Sequence, residues 1–402
     1  MMKTVAVIGG GASGMLAALA AAESGTQRVL LFERQARVGR KLMATGNGRC
    51  NFTNTGASVA DYHGEDPSFV RPILEKLPPK KIMAIFAELG LLCVEQYGGR
   101  VYPLSDSAGS VLDVLRFAMQ SAGIELHAAE PILSIHHKKD LFSIRSEIAE
   151  YTADYVIIAC GGKAGGKIGG VGDGYDLLRS LGHHCSKLYP ALVPIKTDSD
   201  YPRSLKGIRA DAKVSLYSGD HLLAVGEGEL QFTENGISGP AAFDISREAS
   251  VNGGRVCIDF LRGRDEAAVE EMLLLRKTLS PELENSNIFA GILQSRLGLT
   301  VVRYSGLRPS ETIGNISRKQ IRELAQSAKN FEMNVKGTDS FDNAQVTAGG
   351  IRTKEFDPET LESRIVKNLF ACGEVLDIDG DCGGYNLQWA WASGYTAGRL
   401  GK

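Results

Sequence analysis

The sequence lacks an excess of charge of either sign, and this absence limits its partners. Lysine and arginine number 45 and aspartate and glutamate 47, so the formal net charge of the 402 residues is −2. A protein that binds nucleic acid through bulk charge would carry a basic excess. We therefore expect no nucleic-acid partner.

Patterned cysteines and histidines are also absent. The 7 cysteines include no Cys-x-x-Cys pair, which argues against a dithiol redox centre or a zinc knuckle. An odd, scattered set is typical of reduced thiols in the cytoplasm, where we expect this protein. The pairs His136-His137 and His183-His184 have no neighbours that complete a ligand set, so we expect no metal.

No apolar run approaches the roughly 20 residues that a membrane-spanning helix needs, and we expect no membrane partner. The uncharged segment from Thr4 to Ala22 follows Lys3, as a signal peptide would. Gly9-Gly10-Gly11 would interrupt the helix of a signal peptide, however, and a β-prone run follows at Arg28. The pattern favours a strand, a turn and a helix over the signal peptide.

Several catalytic signatures are missing as well. The chain has no Gly-x-Ser-x-Gly, no Walker A loop and no second Gly-x-Gly-x-x-Gly. An enzyme with separate FAD and NAD domains would normally have two such glycine fingerprints. No catalytic acid or base is identified from the sequence.

Glycine, in contrast, is abundant: 47 of 402 residues, about 12% against about 7% in average proteins. One group, Gly9-x-Gly11-x-x-Gly14, lies between a predicted strand (4–8) and a predicted helix (12–24). In a dinucleotide site these glycines allow the tight turn, the approach of the pyrophosphate and the close packing of helix and strand. The free N–H groups at the helix start, at Ala12 and Ser13, would then face phosphate.

Glu33 ends the next predicted strand, 28–33, where a carboxylate can accept hydrogen bonds from a ribose. This fingerprint does not separate NAD from FAD. The C-terminal sequence favours a single extended flavin, because Gly373-Glu374 follows a predicted strand and a helix begins near Asn386. A carboxylate there could bind ribityl hydroxyls, and the N–H groups of that helix, at Asn386 and Leu387, could face the flavin ring. Tyr385 is a candidate contact at the ring edge.

The order of predicted elements indicates an α/β protein whose main domain is built from both chain ends. We expect a first part of the cofactor-binding domain at 1–188, a β-rich insert at 189–263, a helical insert at 264–340 and the second part at 341–402.

Five segments together resemble one known family, the bacterial BaiN/YhiN group of FAD-dependent oxidoreductases. They are Gly39-Arg40-Lys41, the run from Thr45 to Asn54, Gly228 to Thr233, Gly236 to Pro240, and Gly373 to Gln388. The group includes enzymes described as aminoacetone oxidases and bile-acid reductases. The resemblance implies a Rossmann-like, glutathione-reductase-type FAD domain with an inserted β-barrel-like domain and a helical domain.

The resemblance also implies a set of FAD contacts: Ser13, Glu33, Arg34, Lys41, Gly48, Arg49, Cys50, Ile132, Glu374, Asn386 and Leu387. Ile132 enters as an expected adenine contact from a strand, without a motif of its own. Arg40, Lys41 and Arg49 could alternatively bind a substrate anion or form a solvated charged face. For Cys50 we favour a packing role over thiol chemistry.

The expected function is transfer of hydride through the flavin to or from a small organic substrate, with NAD(P)H or oxygen as the electron partner. Two alternatives remain open at this point. One is a flavin-dependent enzyme that modifies RNA, against which the near-neutral charge argues. The other is a flavin-binding sensor without catalysis.

Overall fold

A computed structural model describes residues 2–198 and 200–401 of the chain. Its strands, in chain order, are β1 (Lys3–Ile8), β2 (Gln27–Glu33), β3 (Thr53–Asn54), β4 (Tyr62–His63), β5 (Cys93–Glu95), β6 (Arg100–Pro103), β7 (Glu125–Ala128), β8 (Ile132–Lys138), β9 (Leu141–Ser146), β10 (Glu150–Ala153), β11 (Tyr155–Ile158), β12 (Tyr189–Ala191), β13 (Ile195–Thr197), β14 (Arg209–Ser218), β15 (His221–Phe232), β16 (Gly236–Ser238), β17 (Arg255–Asp259), β18 (Phe331–Thr338), β19 (Val346–Ala348), β20 (Leu369–Ala371) and β21 (Asp379–Gly380).

The α-helices are α1 (Ala12–Ala22), α2 (Arg40–Ala44), α3 (Arg71–Lys76), α4 (Pro79–Glu88), α5 (Ala108–Ser121), α6 (Asp173–Ser180), α7 (Tyr201–Ser204), α8 (Pro240–Asn252), α9 (Glu266–Leu279), α10 (Ser295–Tyr304), α11 (Arg318–Lys329) and α12 (Tyr385–Gly398). Short 3-10 helices lie at Thr45–Gly48, Val59–Asp61, Pro67–Val70, Tyr97–Gly99, Gly166–Ile168, Asn285–Asn287, Ile313–Asn315, Thr353–Glu355 and Gly373–Val375.

The chain forms two compact units. One runs to Tyr189 and resumes at Gln345, and the other is Pro190–Ala344. The limits expected from the sequence at 188 and 340 lie close to these positions. These domain limits, and the division of the insert at 263, stay predictions.

The first unit is built on a parallel sheet with the strand order β20-β11-β1-β2-β7. Ala6 of β1 is paired with Val156 of β11 on one side and with Leu30 of β2 on the other. Val5, Ala6 and Val7 are fully buried, as expected of an apolar strand covered on both faces. The α/β class and the Rossmann-type arrangement expected from the sequence are confirmed.

Helix α12 packs against α1, and glycines allow the two backbones to approach closely. A Cβ atom added to Gly394 would lie 2.3 Å from the carbonyl oxygen of Ser13, and one added to Gly398 would lie 2.3 Å from that of Ala17. Real Cβ atoms do not approach an oxygen so closely, so only glycine fits at both positions. The last helix of the chain is therefore fixed against the first.

The second unit contains a closed antiparallel barrel with the strand order β13-β16-β15-β14-β17-β18. Strand β18 follows the helices α9 to α11 in the sequence and closes the barrel between β17 and β13. Side chains from strands and helices form one buried core in this unit, Val214 and Phe331 together with Leu273 and Leu324. The inserted barrel-like sheet expected from the sequence is present.

Within residues 2–198 and 200–401, no helix combines the length and the apolar character that crossing a membrane would require.

Gly14 offers a test of the packing of α1 on the sheet. A Cβ at this position would lie 1.8 Å from the carbonyl oxygen of Gly9 and 3.2 Å from Cβ of Ala159. We expect Gly14→Ala to lower the free energy of unfolding by about 1–3 kcal/mol, the usual cost of overpacking. Urea unfolding of the purified variant measures this, and an unchanged transition would show that α1 is not held so closely.

Candidate functional site

The glycine turn between β1 and α1 has the geometry of a dinucleotide-binding turn. Gly9 has a φ of +112°, and a Cβ there would lie 2.4 Å from the carbonyl oxygen of Ala159. Gly11, in contrast, has no atom within 4 Å of the position of a Cβ. The backbone is thus tightly packed against the protein at Gly9. At Gly11 it is open to solvent, and a phosphate could approach from that side.

Helix α1 begins directly after this opening. Its N-cap is Gly11, no side chain caps it, and its first turn contains no acidic residue. The first N–H groups of the helix, including those of Ala12 and Ser13, therefore have no partner within the helix. Such an N-terminus favours an anion.

Glu33 ends β2 beside this turn and is 9% exposed. Its Oε2 accepts a hydrogen bond from the N–H of Gly10 at 2.9 Å, and its Oε1 accepts one from the N–H of Gln35 at 2.7 Å. Burial raises the pKa of this carboxyl above its ordinary value. Each oxygen has a second lone pair, so the carboxylate can hold the turn and still accept a ribose hydroxyl.

The structure places Ile132 at the same end of the sheet. The N–H of Glu130 donates to the carbonyl oxygen of Glu33 at 3.0 Å, and that of Ala129 donates to the carbonyl oxygen of Gln35 at 2.9 Å. Ile132 begins β8 two residues later and is buried. It is therefore near the Glu33 end of the site, although its contact with adenine remains a prediction.

Arg34 and Arg40 border the glycine-rich segment at 161–172. The guanidinium of Arg34 forms an ion pair with Asp173 at 2.9 Å. Nη2 of Arg40 donates to the carbonyl oxygen of Lys167 at 3.3 Å. Both arginines join the segment after β2 to the segment after β11, and both are largely exposed.

Lys41 and Glu374 lie together although 333 residues separate them in the sequence. Nζ of Lys41 is 2.7 Å from Oε2 of Glu374, and Oε1 of Glu374 accepts the N–H of Thr347 at 2.8 Å. The pair is half-buried, so water screens it only in part. It brings two predicted cofactor ligands from opposite ends of the chain to one place.

Thr347 is a structural residue of this region that the sequence analysis missed. Its buried Oγ1 accepts the N–H groups of Lys163 and Ala164 at 2.8 and 2.9 Å. Thr347 thereby holds the start of the glycine-rich segment beside Glu374, which accepts the backbone N–H of Thr347. The available signal was Gly349-Gly350 directly after a short strand.

The loop before β3 has a tightly turned backbone. Asn47 and Cys50 have φ angles of 56° and 62°, which few residues other than glycine adopt. The Cys50 side chain is fully buried, and burial raises its pKa to about 12. A thiol of this kind is unreactive near neutral pH, which agrees with a packing role. A Cβ added to Gly48 would have no atom within 4 Å, so the loop is open there.

Two further side chains of this loop point to different surroundings. Nε of Arg49 is 2.6 Å from Oδ1 of Asp106, and its guanidinium lies 4.3 Å from the centre of the Tyr102 ring. Oδ1 of Asn51 is buried and has no hydrogen-bond partner among the described residues. A buried amide oxygen without a donor is costly, so this atom is the clearest unpaired acceptor of the region.

Helix α12 begins beside that acceptor. Gly384 is its N-cap with a φ of +103°, no side chain caps the helix, and its first turn contains no acidic residue. A Cβ on Gly384 would lie 2.9 Å from Oδ1 of Asn51. The first N–H groups, including those of Asn386 and Leu387, are therefore available to a ligand at this end.

The Asn386 side chain is itself committed to the protein. Its Oδ1 accepts the N–H of Gly380 at 2.9 Å, and its Nδ2 donates to the carbonyl oxygen of Gly380 at 2.6 Å. These two hydrogen bonds fix the loop that precedes α12. Asn386 can therefore contact a cofactor through its backbone while its side chain shapes the loop.

Gly373 connects the first turn of α1 with α12. Its φ is +74°, and a Cβ here would lie 2.6 Å from Oγ of Ser13 in the first turn of α1. The indole N–H of Trp389 in α12 donates to the carbonyl oxygen of Gly373 at 3.1 Å. The segment before Glu374 is thus fixed to both helices.

Buried Gln388 of α12 was also missed by the sequence analysis. Thr53 Oγ1 donates to its Oε1 at 2.6 Å, and its Nε2 donates to the carbonyl oxygen of Leu77 at 2.9 Å. These bonds attach α12 to β3 and thereby to the loop that contains Asn51. A glutamine between Leu387 and Trp389 was the signal that could have revealed it.

A Ser–His–Glu alignment elsewhere in this unit has a structural role. His183 Nδ1 is 3.0 Å from Oε2 of Glu355, and its Nε2 is 3.0 Å from Oγ of Ser363. The Ser363 hydroxyl also accepts the N–H groups of Ile365 and Val366. Serine and histidine are both buried, so this set fixes a turn and offers no accessible nucleophile.

No group of three or more histidine, cysteine, aspartate or glutamate residues within 2–198 and 200–401 is arranged to hold a metal ion.

The open and unpaired positions together fit an extended dinucleotide such as FAD. The starts of α1 and α12 have no side-chain caps, and Gly373 links the two helices through Ser13 and Trp389. Open backbone at Gly11 and Gly48 and the unpaired acceptor of Asn51 provide space and hydrogen-bonding capacity. The residue-by-residue contacts with the cofactor remain predictions.

Gly11 provides a test of the phosphate position that is matched to Gly14. Because Gly11 has open space around it, we expect Gly11→Ala to leave the free energy of unfolding of the FAD-free protein within about 0.5 kcal/mol. The added methyl would occupy the space where the pyrophosphate approaches, so FAD affinity should fall at least about tenfold. Titration with FAD, followed by flavin fluorescence, measures this; undiminished affinity would place the phosphates elsewhere.

The ionisation of Glu33 predicts a pH dependence. Since burial raises its pKa, folding favours the protonated carboxyl, whose contribution is complete at low pH and is lost as pH rises through the folded-state pKa. In the FAD-free protein, the free energy of unfolding of wild type relative to Glu33→Gln should fall as pH rises from about 4, the ordinary range of a glutamate, through the raised pKa of Glu33. Urea unfolding at several pH values measures the trend, and exposed Glu88→Gln is the control. A difference independent of pH would contradict the assignment.

Comparison with known proteins identifies the family. The family described as "HI0933-like protein Rossmann domain" matches residues 3–400. The chain is 39% identical over 404 residues to a 3-dehydro-bile acid delta(4,6)-reductase of Clostridium scindens, which covers 99% of this chain and 98% of the relative. It is 29% identical to a ribosomal RNA dihydrouridine synthase of Haemophilus influenzae, over 97% of this chain and 96% of that one.

A solved structure shares the fold at low identity. The 3-ketosteroid delta1-dehydrogenase of Sterolibacterium denitrificans superposes with a TM-score of 0.50 and 13% identity, covering 99% of both chains. With the motifs, the full-length family match and the 39% identical reductase in agreement, the chain belongs to the HI0933-like Rossmann family, the BaiN/YhiN type of FAD-dependent oxidoreductase.

Proposed function

We propose that this protein is a flavin-dependent reductase that transfers hydride to a carbon–carbon double bond conjugated with a carbonyl group in a small organic molecule. NAD(P)H is the proposed electron donor, and oxygen the alternative electron acceptor of the reduced protein. The observation that carries the proposal is the 39% identity, along the full length, with a 3-dehydro-bile acid delta(4,6)-reductase.

The names of two relatives describe related chemistry. A 3-dehydro bile acid with 4,6 double bonds contains a carbonyl conjugated with two carbon–carbon double bonds. Dihydrouridine differs from uridine by two hydrogens across a ring double bond that is conjugated with a carbonyl. Two relatives with different substrates thus support a common reaction type, in which hydride is added to the end of a conjugated system.

The chain would hold FAD along a path between its two ends. The first turn of α1, through Ala12 and Ser13, would bind the pyrophosphate, and Glu33 would accept the ribose hydroxyls. Lys41 and Glu374 would contact the middle of the cofactor, where an ammonium and a carboxylate 2.7 Å apart can serve phosphate and hydroxyl groups respectively. The remaining proposed contacts are Gly9, Gly11, Gly14, Arg34, Arg40, Gly48, Arg49, Cys50, Ile132, Gly373, Asn386 and Leu387.

When bound, FAD supplies a two-electron hydride carrier. The protein contributes position and electrostatics. The uncapped start of α12 directs N–H groups and the positive end of the helix dipole toward its ligand, which stabilises negative charge there. Oδ1 of Asn51 can accept a hydrogen bond beside the same helix start. The bonds from Asn386 to Gly380 and from Gln388 to Thr53 keep these groups in place.

A second candidate function is reduction of uridine in ribosomal RNA, which the relative from Haemophilus influenzae favours at 29% identity. The net charge of −2 disfavours it, because binding to RNA depends largely on neutralising phosphates. We therefore place the small-molecule substrate first.

Reoxidation of the reduced protein tests the proposal. The FAD-loaded protein is reduced without oxygen by NADH, by NADPH or by light, and a 3-dehydro-4,6-diene bile acid is added. We expect the absorbance of oxidised flavin to return with the conjugated substrate but not with its saturated 3-dehydro analogue. An unmodified ribosomal RNA fragment is the parallel sample. Reoxidation by the RNA fragment alone would favour reduction of uridine in ribosomal RNA over the small-molecule function. Reoxidation by neither would reject the reaction type.

A further inference from the structure

The outer face of the three-stranded sheet β3-β6-β5 contains an arginine that the cofactor scheme does not use. Strand β6 alternates, with Val101 and Pro103 buried and Arg100 and Tyr102 half-exposed. Arg100 is paired with Asn54 of β3, and Tyr102 with Val94 of β5. Paired residues share a face of a sheet, so Asn54, Arg100, Tyr102 and Val94 lie on the same side.

Arg100 is the charged group of this face that lacks a counter-charge. Neighbouring Arg49 is paired with Asp106 and covers the Tyr102 ring. The guanidinium of Arg100 makes no hydrogen bond or ion pair with any residue in 2–198 or 200–401. A half-buried guanidinium carries five N–H donors, so it is prepared to bind an acceptor from outside the chain.

The position of Arg100 links it to the start of α12. A Cβ built on Gly383 would lie 3.5 Å from Nε of Arg100, 3.5 Å from Nδ2 of Asn54 and 3.0 Å from Cε2 of Tyr385. Asn54 fixes this arrangement, because its Nδ2 donates to the carbonyl oxygen of Gly383 at 3.1 Å. Arg100 therefore lies beside Gly383, the residue before Gly384, which is the N-cap of α12. The unpaired Oδ1 of Asn51 lies next to the same N-cap.

Beyond the Arg49–Asp106 pair over Tyr102, the same face carries exposed apolar side chains. Leu92 and Leu104 are 64% and 63% exposed, and they lie side by side because the N–H of Leu104 donates to the carbonyl oxygen of Leu92 at 2.7 Å. Val94 is also exposed, and Tyr97 projects from the β5–β6 turn almost completely into solvent. One unpaired cation beside an apolar wall is complementary to a molecule with an apolar body and a single oxygen-bearing end.

We propose that this face is the substrate platform and that Arg100 binds a carboxylate of the substrate, away from the carbonyl group conjugated with the reduced double bond. The proposal rests on the proposed function for the position of the flavin ring at α12. The occupant is a small, largely apolar molecule with a carboxylate end. The apolar body lies along Val94 and the two leucines, and the oxygen lies against the guanidinium. Arg100 is thus a positioning residue, which orients the substrate without taking part in the transfer.

Binding of benzoate, a small aromatic carboxylate, tests this role without requiring turnover. Benzoate is titrated into the oxidised FAD-loaded protein, and the flavin absorbance spectrum reports its binding. We expect saturable binding in wild type and at least about tenfold weaker binding in Arg100→Ala, because a charge-assisted hydrogen bond is lost. Arg100→Lys should recover part of the affinity. Arg116→Ala, which removes an equal charge from the exposed side of α5, should bind as wild type does.

The split between kcat and KM provides the second readout. With the conjugated bile acid, Arg100→Ala should raise KM at least about tenfold and change kcat much less, as loss of uniform binding does. The FAD content and the free energy of unfolding of the variant should remain those of wild type.

The two proposals can fail separately. Benzoate binding that depends on Arg100, in a protein that reduces no conjugated substrate, would retain the platform and reject the reaction. Benzoate affinity within about twofold of wild type in Arg100→Ala, or no spectral response in wild type, would overturn the role of Arg100. Displacement of benzoate by a ribosomal RNA fragment but not by the bile acid would overturn the small-molecule occupant.

Discussion

The first turn of α1 lies against Gly373 and against α12 because glycine leaves out the atoms that would separate them. A side chain at Gly373 would meet Ser13 Oγ, and one at Gly394 would meet the Ser13 carbonyl oxygen at 2.3 Å. These contacts bring the two ends of the chain to one place. The ion pair between Lys41 and Glu374 depends on this packing, since it joins a residue from the first 50 positions to one from the last 30. The two uncapped helix starts belong to the helices that these glycines hold together.

The same region combines rigid parts with unpaired polar groups. Thr347, Asn386 and Gln388 use their side chains on backbone or side-chain partners of the protein, and they keep the loops around the site in position. The N–H groups at the starts of α1 and α12 and Oδ1 of Asn51 are left for a ligand. A preorganised site of this kind needs little rearrangement to accept a long cofactor, because the cost of ordering the loops is met on folding.

The proposed substrate platform extends this arrangement by one sheet. Asn54 belongs both to β3 and to the contact with Gly383, so it joins the outer face of β3-β6-β5 to the loop before α12. Exposed apolar side chains that lie together beside a cation can mark a binding surface. Placing substrate recognition on this sheet leaves the cofactor contacts free to be shared by relatives that act on different molecules.

Local patterns in the sequence determined the parts of this protein that depend on neighbouring residues. The strand–glycine–helix unit, predicted at 4–24 and observed at 3–22, followed from an apolar run and glycine spacing, as did the last helix, predicted to begin near Asn386 and observed from Tyr385. The family motifs determined the cofactor. Only the tertiary structure decided which distant residues meet. Lys41 with Glu374, Thr347 with the segment at 163–164, Gln388 with Thr53, and Arg100 with Gly383 all lie far apart in the chain. No local period encodes such pairings, because they arise when whole elements pack and the packing itself selects the side chains that touch.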